Sequence, residues 1–533
     1  MSGRVNEKGR TARRAALVGT LCVLAGCGEP EPAAGDVLLI IVDTLRADVL
    51  SSYGNPQPTS PHLDALSSDG LRFAEVLTQA PNTAPSHATL FTGLTPWTHR
   101  VANLTSLELG TPGLPPAFIT LAERFRGRGY GTAAFTDGGP VGKAWNLMQG
   151  FDVLEAEYEG AEHKVDDALA YWAGVTDDQP RFMFLHTYQV HEPYLPPLEY
   201  RERFNSNPDY AGVVLESEAR ARVLRTDGGE VEPNGKVLFE HKDSFGPADV
   251  RYLWDLYQAE LAYTDAQLGR LFQALKDSGR YDDMTIIVTS DHGEEFGEHG
   301  EFGHLRLNHE TLHVPLIVKL PAGLHDDWRG RVVEERVNQV DVHATLVDLL
   351  GDDWPVGPGR SLLDDLEEGA FEERVSYSET TESLYYAREV QFDHVRGQRA
   401  VRFGEYALVE DLVGGSVFSE LHAARPDNAP LEPAPAALAR TSMPPRPDQD
   451  LPAPKLEPVR RSLSGRIARH LASAIELRNE LLMGEATSFF YKVDGDTRSE
   501  LEALGYVDGE AVVDPPKQDG ATGSDPDVPL EER

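Results

Sequence analysis

Side chains that can bind a divalent metal follow three separate apolar runs of the chain. Asp43 ends the first run, His186 ends another with His191 five residues further on, and Asp291 and His292 follow a third. Carboxylates and imidazoles are common metal ligands, so their repeated placement after apolar runs predicts one shared site.

A second chemically suggestive stretch is TAPSHATLFTG at residues 83–93. Pro85 favours the start of a helix, and Gly93 favours its end. We expect Thr83 to lie just before the helix N-terminus, where free N–H groups and the helix dipole stabilise an anion or alkoxide. The alternative is that Thr83 is an ordinary helix cap.

The apolar runs that precede these residues belong to an α/β pattern. Continuous β-branched runs predict strands of a parallel sheet that is covered on both faces, and they lie at residues 37–42, 130–135, 182–185, 285–289 and 314–318. Residues 250–276 carry leucines at helical spacing. Strands alternating with helices predict a mostly parallel central sheet flanked by helices, with ligands at the carboxyl ends of the strands.

The later part of the chain has a different character and predicts a smaller C-terminal subdomain. Residues 399–411 predict a hairpin around Gly404, residues 424–458 are rich in Pro and Ala, and residues 460–482 predict an exposed or docking helix. We expect a main domain at residues 36–370, this subdomain at 371–510 and a disordered acidic tail at 511–533.

Composition excludes several classes of protein. Among 533 residues, 87 are acidic and 49 are basic, which gives a formal charge of -38. Such a negative field would repel nucleic acid, so a nucleic-acid partner is excluded. An apolar content of 40% excludes global disorder, and two cysteines exclude a disulfide scaffold.

The N-terminus predicts export and a lipid anchor. Basic residues precede an apolar run at 15–25, which is too short to span a bilayer, and the run closes with Leu24-Ala25-Gly26-Cys27. This pattern resembles a bacterial lipobox, with residues 1–26 as the signal peptide, Cys27 lipidated and residues 27–35 as a tether. The prediction is a protein anchored to the membrane in the bacterial cell envelope, facing the periplasm or exterior. The alternative is an ordinary signal peptide with an incidental cysteine.

Several motifs in order resemble the sulfatase family of the alkaline-phosphatase superfamily. They are IIVDTLRAD at 40–48, TAPSHATLFTG at 83–93, HEPYLPP at 191–197, YTDAQLG at 263–269, TSDHGE at 289–294 and LEALGYV at 501–507. The resemblance implies an alkaline-phosphatase-like fold and one divalent ion, Mn, Mg, Ca or Zn. It also implies that Asp43, Asp291, His292 and Thr83 hold this ion, with Thr83 as the nucleophile.

Three departures from the family pattern change the expected chemistry. Sulfatases carry Cys or Ser, oxidised to formylglycine, where this chain has Thr83, and they carry Arg where it has His87. Many members have a second Asp where this chain has Thr44, which implies one metal rather than two. Threonine nucleophiles resemble those of relatives that act on phosphorus, such as phosphodiesterases.

Histidines complete the expected catalytic set. His191 matches a family histidine near the leaving group, His304 falls where many members place a substrate-binding lysine, and His87 replaces the family arginine. As protonated donors, His191 and His304 would stabilise developing charge or protonate a leaving alkoxide, although either could instead be a hydrogen-bonded structural histidine. We expect His186 and His299 to be structural.

Further charged residues lie near these motifs, and the sequence gives less support for placing them in the active site. We expect a solvated loop face for Glu294, Glu295, Glu298 and Glu301, one of which could orient His292. Arg46 could contact the substrate or pair with a neighbouring carboxylate.

These features predict a metal-dependent hydrolase of sulfate or phosphate esters, with phosphorus chemistry favoured and a small anionic ester as substrate. One alternative is a non-catalytic binding protein on a degenerate sulfatase fold, suggested by the missing Cys and Arg. Another is a phospho-alcohol transferase that acts on an envelope lipid or glycan.

Overall fold

The structure is a computed structural model that describes residues 35–103, 111–212, 214, 245–352, 357–369, 371, 374–380, 396–404, 406–413, 416–423, 453–482 and 490–491. Its strands are β1 (Val37–Val42), β2 (Leu71–Phe73), β3 (Val76–Leu77), β4 (Thr111–Pro112), β5 (Gly131–Thr136), β6 (Val153–Ala156), β7 (Arg181–Thr187), β8 (Thr285–Thr289), β9 (Glu295–Phe296), β10 (Phe302–Gly303), β11 (Leu316–Lys319), β12 (Arg331–Val333), β13 (Val337–Asn338), β14 (Ser376–Glu379), β15 (Arg396–Phe403), β16 (Tyr406–Val413), β17 (Ser416–Ala423) and β18 (Phe490–Tyr491). Its α-helices are α1 (Pro61–Asp69), α2 (Thr83–Thr92), α3 (Pro96–His99), α4 (Leu121–Gly127), α5 (Ala161–Gly174), α6 (Leu198–Phe204), α7 (Pro247–Asp277), α8 (His309–Leu312), α9 (Val340–Leu349), α10 (Leu362–Glu368) and α11 (Ala453–Leu481). Short 3-10 helices lie at Ala47–Val49, Ser51–Tyr53, Gly139–Val141, Lys143–Trp145 and Asp326–Trp328.

A sheet of eight strands in the order β12-β2-β11-β8-β1-β7-β5-β6 forms the centre of the main domain. β1 lies between β7 and β8, and both neighbours run parallel to it. β5 and β6 continue the parallel arrangement on one side. Because parallel strands end at the same edge of a sheet, the residues that follow β1, β7 and β8 lie close together.

Both faces of β1 are covered, which explains why its sequence is apolar throughout. Val37, Leu39 and Ile41 pack into a cluster that includes Phe91 of α2 and Leu121 of α4. The alternate residues of β1 pack on the other face with residues of α1, α5 and α7. Side chains on a strand alternate between faces, so a strand buried on both faces has no polar alternation.

One strand departs from the predicted parallel arrangement. The apolar run at residues 314–318 corresponds to β11, which pairs antiparallel with both β8 and β2. The prediction that this run forms a strand parallel to its neighbours was wrong. Burial on both faces makes the run apolar, but it does not determine the direction in which the chain enters the sheet.

A smaller antiparallel sheet, in the order β14-β15-β16-β17, follows the main domain. The predicted hairpin around Gly404 is formed by β15 and β16, which pair antiparallel. Helix α11 covers this sheet, because Leu463 and Ile467 pack against Val401 and Leu408. Toward its end, Arg478 donates a 2.7 Å hydrogen bond to the carbonyl of Thr98, so α11 also docks on the main domain.

Several sequence predictions fall outside the described residues and stay predictions. They concern the signal peptide at 1–26, Cys27, the tether up to residue 34, the Pro-rich stretch from 424 to 452, the LEALGYV motif at 501–507 and the tail at 511–533. Of the helices that the structure describes, none combines the length and hydropathy that crossing a membrane requires.

Candidate active site

The carboxyl ends of β1 and β8 bring three potential metal ligands together. Asp43 follows β1, Asp291 and His292 follow β8, and all three side chains are buried. One ligand atom from each lies within 4.8 Å of the others. The Asp291 carboxylate also accepts hydrogen bonds from the backbone N–H groups of Thr44, at 3.3 Å, and His292, at 2.9 Å. The positions of the strand ends and these hydrogen bonds together fix the three side chains relative to one another.

The chemistry of this group fits a divalent cation. Asp43 Oδ1 and Asp291 Oδ2 are buried and have no hydrogen-bond partner among the described residues. Burial and the neighbouring Asp291 carboxylate raise the pKa of Asp43. Burial lowers the pKa of His292 to about 4, so its imidazole is neutral and able to bind a metal. A cation would satisfy both oxygens and balance two adjacent carboxylates that are costly to bury together.

Thr83 lies at this group, on the first turn of α2. Its Oγ1 is 3.4 Å from His292 Nε2, and its side chain is buried. The helix begins at Thr83 itself with Asn82 as the capping residue, so the prediction that Thr83 precedes the helix was wrong by one residue. Pro85 is the third helical residue, where its missing N–H would have no intrahelical partner. Gly93 ends the helix in the left-handed conformation with φ 70°, as predicted.

His87 and His186 pack beside the metal-ligand group. His87 lies one turn after Thr83, and its Nδ1–H donates a 2.8 Å hydrogen bond to the Thr83 carbonyl. The same nitrogen is 3.7 Å from Asp291 Oδ2. His186 Nε2 is 3.4 Å from Asp43 Oδ2, and the two histidine rings are 5.0 Å apart. Burial lowers the pKa of both histidines, so both are neutral.

His186 contacts a carboxylate of the site, although the sequence predicts only a structural role for it. It occupies the end of β7, in register with Ile41 of the neighbouring β1. The rule that groups strand ends at one edge of the sheet could have identified it.

The rings of His292, His304 and His191 lie close together. The His304 ring is 4.5 Å from that of His292 and 5.2 Å from that of His191. Burial and His304 lower the pKa of His191 to about 4. Its Nδ1–H donates a 2.7 Å hydrogen bond to the Glu192 carbonyl. His191 is therefore neutral without substrate, which differs from the protonated donor expected from the sequence.

Glu294 contradicts the prediction of a solvated acidic loop. Its side chain is fully buried, and its Oε1 is 3.1 Å from His304 Nδ1. The chain after His292 folds into the β9–β10 hairpin, in which Glu295 pairs with Gly303, and this turn carries Glu294 inward. Glu295 is also buried.

Arg46 pairs with its own neighbours instead of facing the site. Both carboxylate oxygens of Asp48 accept hydrogen bonds from its guanidinium, at 2.9 and 2.7 Å. A further ion pair of 2.5 Å joins Arg46 to Glu298. Of the two expectations for Arg46, the structure shows the pairing with a carboxylate.

The position after His292 has room only for a glycine, and Gly293 occupies it. A Cβ at this position would collide with the backbone carbonyl of Glu310. The N–H of Gly293 also donates a 2.8 Å hydrogen bond to the Thr311 carbonyl, which holds the chain at this distance. This close approach fixes the turn that presents Asp291 and His292.

Comparisons with known proteins agree with this fold. The sequence model of the family described as Sulfatase matches residues 35–352. The chain is 28% identical over 402 residues to the multifunctional alkaline phosphatase superfamily protein PehA of Trinickia caryophylli, which covers 63% of this chain and 77% of that protein. It is 27% identical over 355 residues to human (Homo sapiens) iduronate 2-sulfatase, which covers 57% of this chain and 64% of that protein.

Solved structures share the fold. The phosphonate monoester hydrolase of Agrobacterium radiobacter superposes with a TM-score of 0.61 at 22% identity, covering 83% of this chain and 96% of that one. A sulfatase from Bacteroides fragilis superposes with a TM-score of 0.60 at 18% identity, covering 89% of this chain and 99% of that one. The predicted alkaline-phosphatase-like α/β fold is confirmed, and the chain belongs to the sulfatase family as a sulfatase-like ester hydrolase.

Proposed function

We propose that this chain is a metal-dependent hydrolase that cleaves phosphorus esters with Thr83 as its nucleophile. The observation that carries the proposal is the placement of the Thr83 hydroxyl 3.4 Å from His292 Nε2, beside the carboxylates of Asp43 and Asp291. When bound by these residues, a divalent Mn, Mg, Ca or Zn ion would lower the pKa of the hydroxyl and neutralise the carboxylates.

The identity of residue 83 favours phosphorus over sulfur. Oxidation of a primary alcohol or thiol gives the formylglycine aldehyde, whereas oxidation of threonine, a secondary alcohol, gives a ketone. A hydrated aldehyde has a second hydroxyl that can expel a bound sulfate, but Thr83 has a single hydroxyl. Water must therefore attack the central atom of the threonyl ester, as in phosphoryl-enzyme hydrolysis.

The surrounding histidines have complementary proton-transfer roles in this proposal. With its proton released to solvent, Thr83 Oγ1 attacks phosphorus as the alkoxide while the bond to the leaving alcohol breaks, and the alcohol takes a proton from His304. Glu294 stabilises protonated His304 through their 3.1 Å contact. Water then attacks phosphorus, with neutral His191 accepting its proton. This second step releases Thr83 as the alkoxide together with the phosphorus acid. The proton on His191 then passes to His304, whose ring lies 5.2 Å away, which restores both histidines.

A matched pair of variants tests the nucleophile. Thr83→Val keeps the shape of the side chain and removes the hydroxyl, whereas Thr83→Ser keeps the hydroxyl. With metal content measured, each is assayed on an aryl sulfate, a phosphate monoester, a phosphate diester and a phosphonate monoester. We expect Thr83→Val to lose about 10³-fold or more in kcat on phosphorus esters, and Thr83→Ser to retain activity. Turnover by Thr83→Val equal to wild type would contradict the proposal.

The assay also separates phosphorus from sulfur chemistry. Sulfate ester turnover that exceeds turnover of every phosphorus ester would contradict the substrate assignment while leaving the nucleophile intact. If neither ester class is cleaved, a binding protein on the sulfatase fold becomes the correct description.

We further propose that the substrate is a small anionic ester reached from the periplasm or the exterior of a bacterial cell. The lipobox-like sequence that ends at Cys27 supports anchoring to a membrane. The formal charge of -38 would repel anionic substrates at a distance, so a cation at the site is needed to attract them.

A further inference from the structure

A second group of potential metal ligands lies at the β9–β10 hairpin, outside the active centre. Glu295, His299 and Glu310 each offer one ligand atom, and these atoms lie within 4.8 Å of one another. Glu295 belongs to β9, His299 to the hairpin turn and Glu310 to α8. Three separate parts of the chain therefore converge on one point.

Glu295 supplies independent support for a bound cation. Its side chain is 1% exposed, and its Oε2 is buried with no hydrogen-bond partner among the described residues. The other oxygen, Oε1, accepts a 2.7 Å hydrogen bond from Asn308. A half-satisfied buried carboxylate is costly unless a proton or a cation binds the second oxygen. Burial raises the pKa of Glu295 to about 8, so a proton holds this place when no cation does.

Charges around the group are also suited to a cation. His299 Nε2 lies 3.0 Å from Glu310 Oε2, and Glu298 is close by on the same hairpin. The neighbouring positive charge, Arg46, is already held by Asp48 and Glu298. Hydrogen bonding to Glu310 raises the pKa of His299 to about 9 despite burial, so a divalent cation would bind here in place of the protons on His299 and Glu295.

We propose that Glu295, His299 and Glu310 bind a second divalent cation, separate from the one at the active centre. One imidazole and two carboxylates suit Zn²⁺, which takes mixed nitrogen and oxygen ligands. The cation would join the hairpin to α8. Because β10 ends at Gly303, directly before His304, it would also stiffen the segment that carries His304.

Zinc stoichiometry tests this proposal without relying on turnover. The full chain is stripped with a chelator and dialysed against Zn²⁺, and bound metal is measured by mass spectrometry. We expect about two equivalents for wild type and about one for His299→Ala or Glu295→Gln. The paired variant Asp43→Asn with Asp291→Asn should also bind about one, at the hairpin site.

His309→Ala is the matched control, since His309 lies beside Glu310 but outside the group, and it should bind as much zinc as wild type. His299 is 40% exposed on its side chain, so its replacement should leave the fold intact, which circular dichroism of the metal-free protein checks. One equivalent in wild type, or two equivalents in both His299→Ala and Glu295→Gln, would overturn the proposal. Neither result would bear on Thr83.

Discussion

At the level of single residues, the resemblance to sulfatases predicts a lysine at the position that His304 occupies in this chain. A lysine ammonium is a fixed positive charge near neutral pH, whereas an imidazole can give up a proton and regain it. The buried Glu294 carboxylate, 3.1 Å from His304 Nδ1, favours the protonated form. We therefore propose that a histidine at this position transfers a proton, whereas a lysine would only bind charge.

We predict that His304→Gln slows turnover most for esters with poor leaving groups. Gln keeps a hydrogen-bonding side chain but cannot donate a proton as an acid, and acid catalysis contributes about 10²–10⁴-fold. For alkyl phosphodiesters we expect losses in that range, and for nitrophenyl esters, whose leaving group needs no proton, about 10-fold or less. The measurement is kcat across a series of leaving groups. Equal losses across the series would indicate that His304 binds substrate without donating a proton.

At the scale of elements, Asp265 connects α7 to the start of α1. Its carboxylate accepts hydrogen bonds from the backbone N–H groups of His62 and Leu63, at 2.8 to 3.1 Å. These are first-turn N–H groups that a short helix cannot satisfy internally. Burial disfavours the charged carboxylate more than these hydrogen bonds favour it, and the pKa of Asp265 is raised to about 7.

This raised pKa predicts a stability change with pH. Between about pH 4 and pH 7, Asp265 keeps its proton in the folded protein but has lost it in the unfolded chain, where its pKa is 3.8. The free energy of unfolding therefore falls as the pH rises through this range. Asp265→Asn is neutral at every pH. From pH 5.5 to pH 8, we expect its unfolding free energy to rise relative to wild type by about 2 kcal/mol.

Urea unfolding of both proteins at the two pH values measures this difference. Exposed Asp277, on the same helix, gives Asp277→Asn as the control for removing one carboxylate from α7. A pH-independent difference between Asp265→Asn and wild type would refute the prediction.

For the whole molecule, the lipid anchor that we propose would determine where the active centre works. The lipid would be attached at Cys27, ten residues before β1 begins at Val37. The carboxyl end of β1 carries Asp43. A tether this short would hold the main domain next to the membrane surface.

We predict that Cys27→Ser releases the full chain from the membrane fraction of a bacterial host. Serine cannot form the thioether through which the lipid is attached. Fractionation with labelled palmitate measures both anchoring and lipidation. The other cysteine provides the control, since Cys22→Ser should stay labelled and membrane-bound. Wild type found unlabelled in the soluble fraction would refute the anchor.

The centre of the sheet and the candidate metal-ligand group can be predicted from the sequence alone. The predicted strands at residues 37–42 and 285–289 have the bounds observed for β1 and β8. A strand covered on both faces must be apolar along its whole length, and this local requirement can be read from the sequence. Because parallel strands end at one edge, Asp43, Asp291 and His292 can also be grouped by their positions at the ends of apolar runs.

Contacts that form only on folding determine which other residues face that group. β11 runs antiparallel to β8 because of the direction in which the chain returns to the sheet. The apolar run that forms β11 gives no information about that direction. His186 meets Asp43 through strand register, and Glu294 is buried because the β9–β10 hairpin folds inward. In each case the decisive contact joins residues that are distant in sequence or separated by a turn, so its energy depends on packing that no local pattern contains.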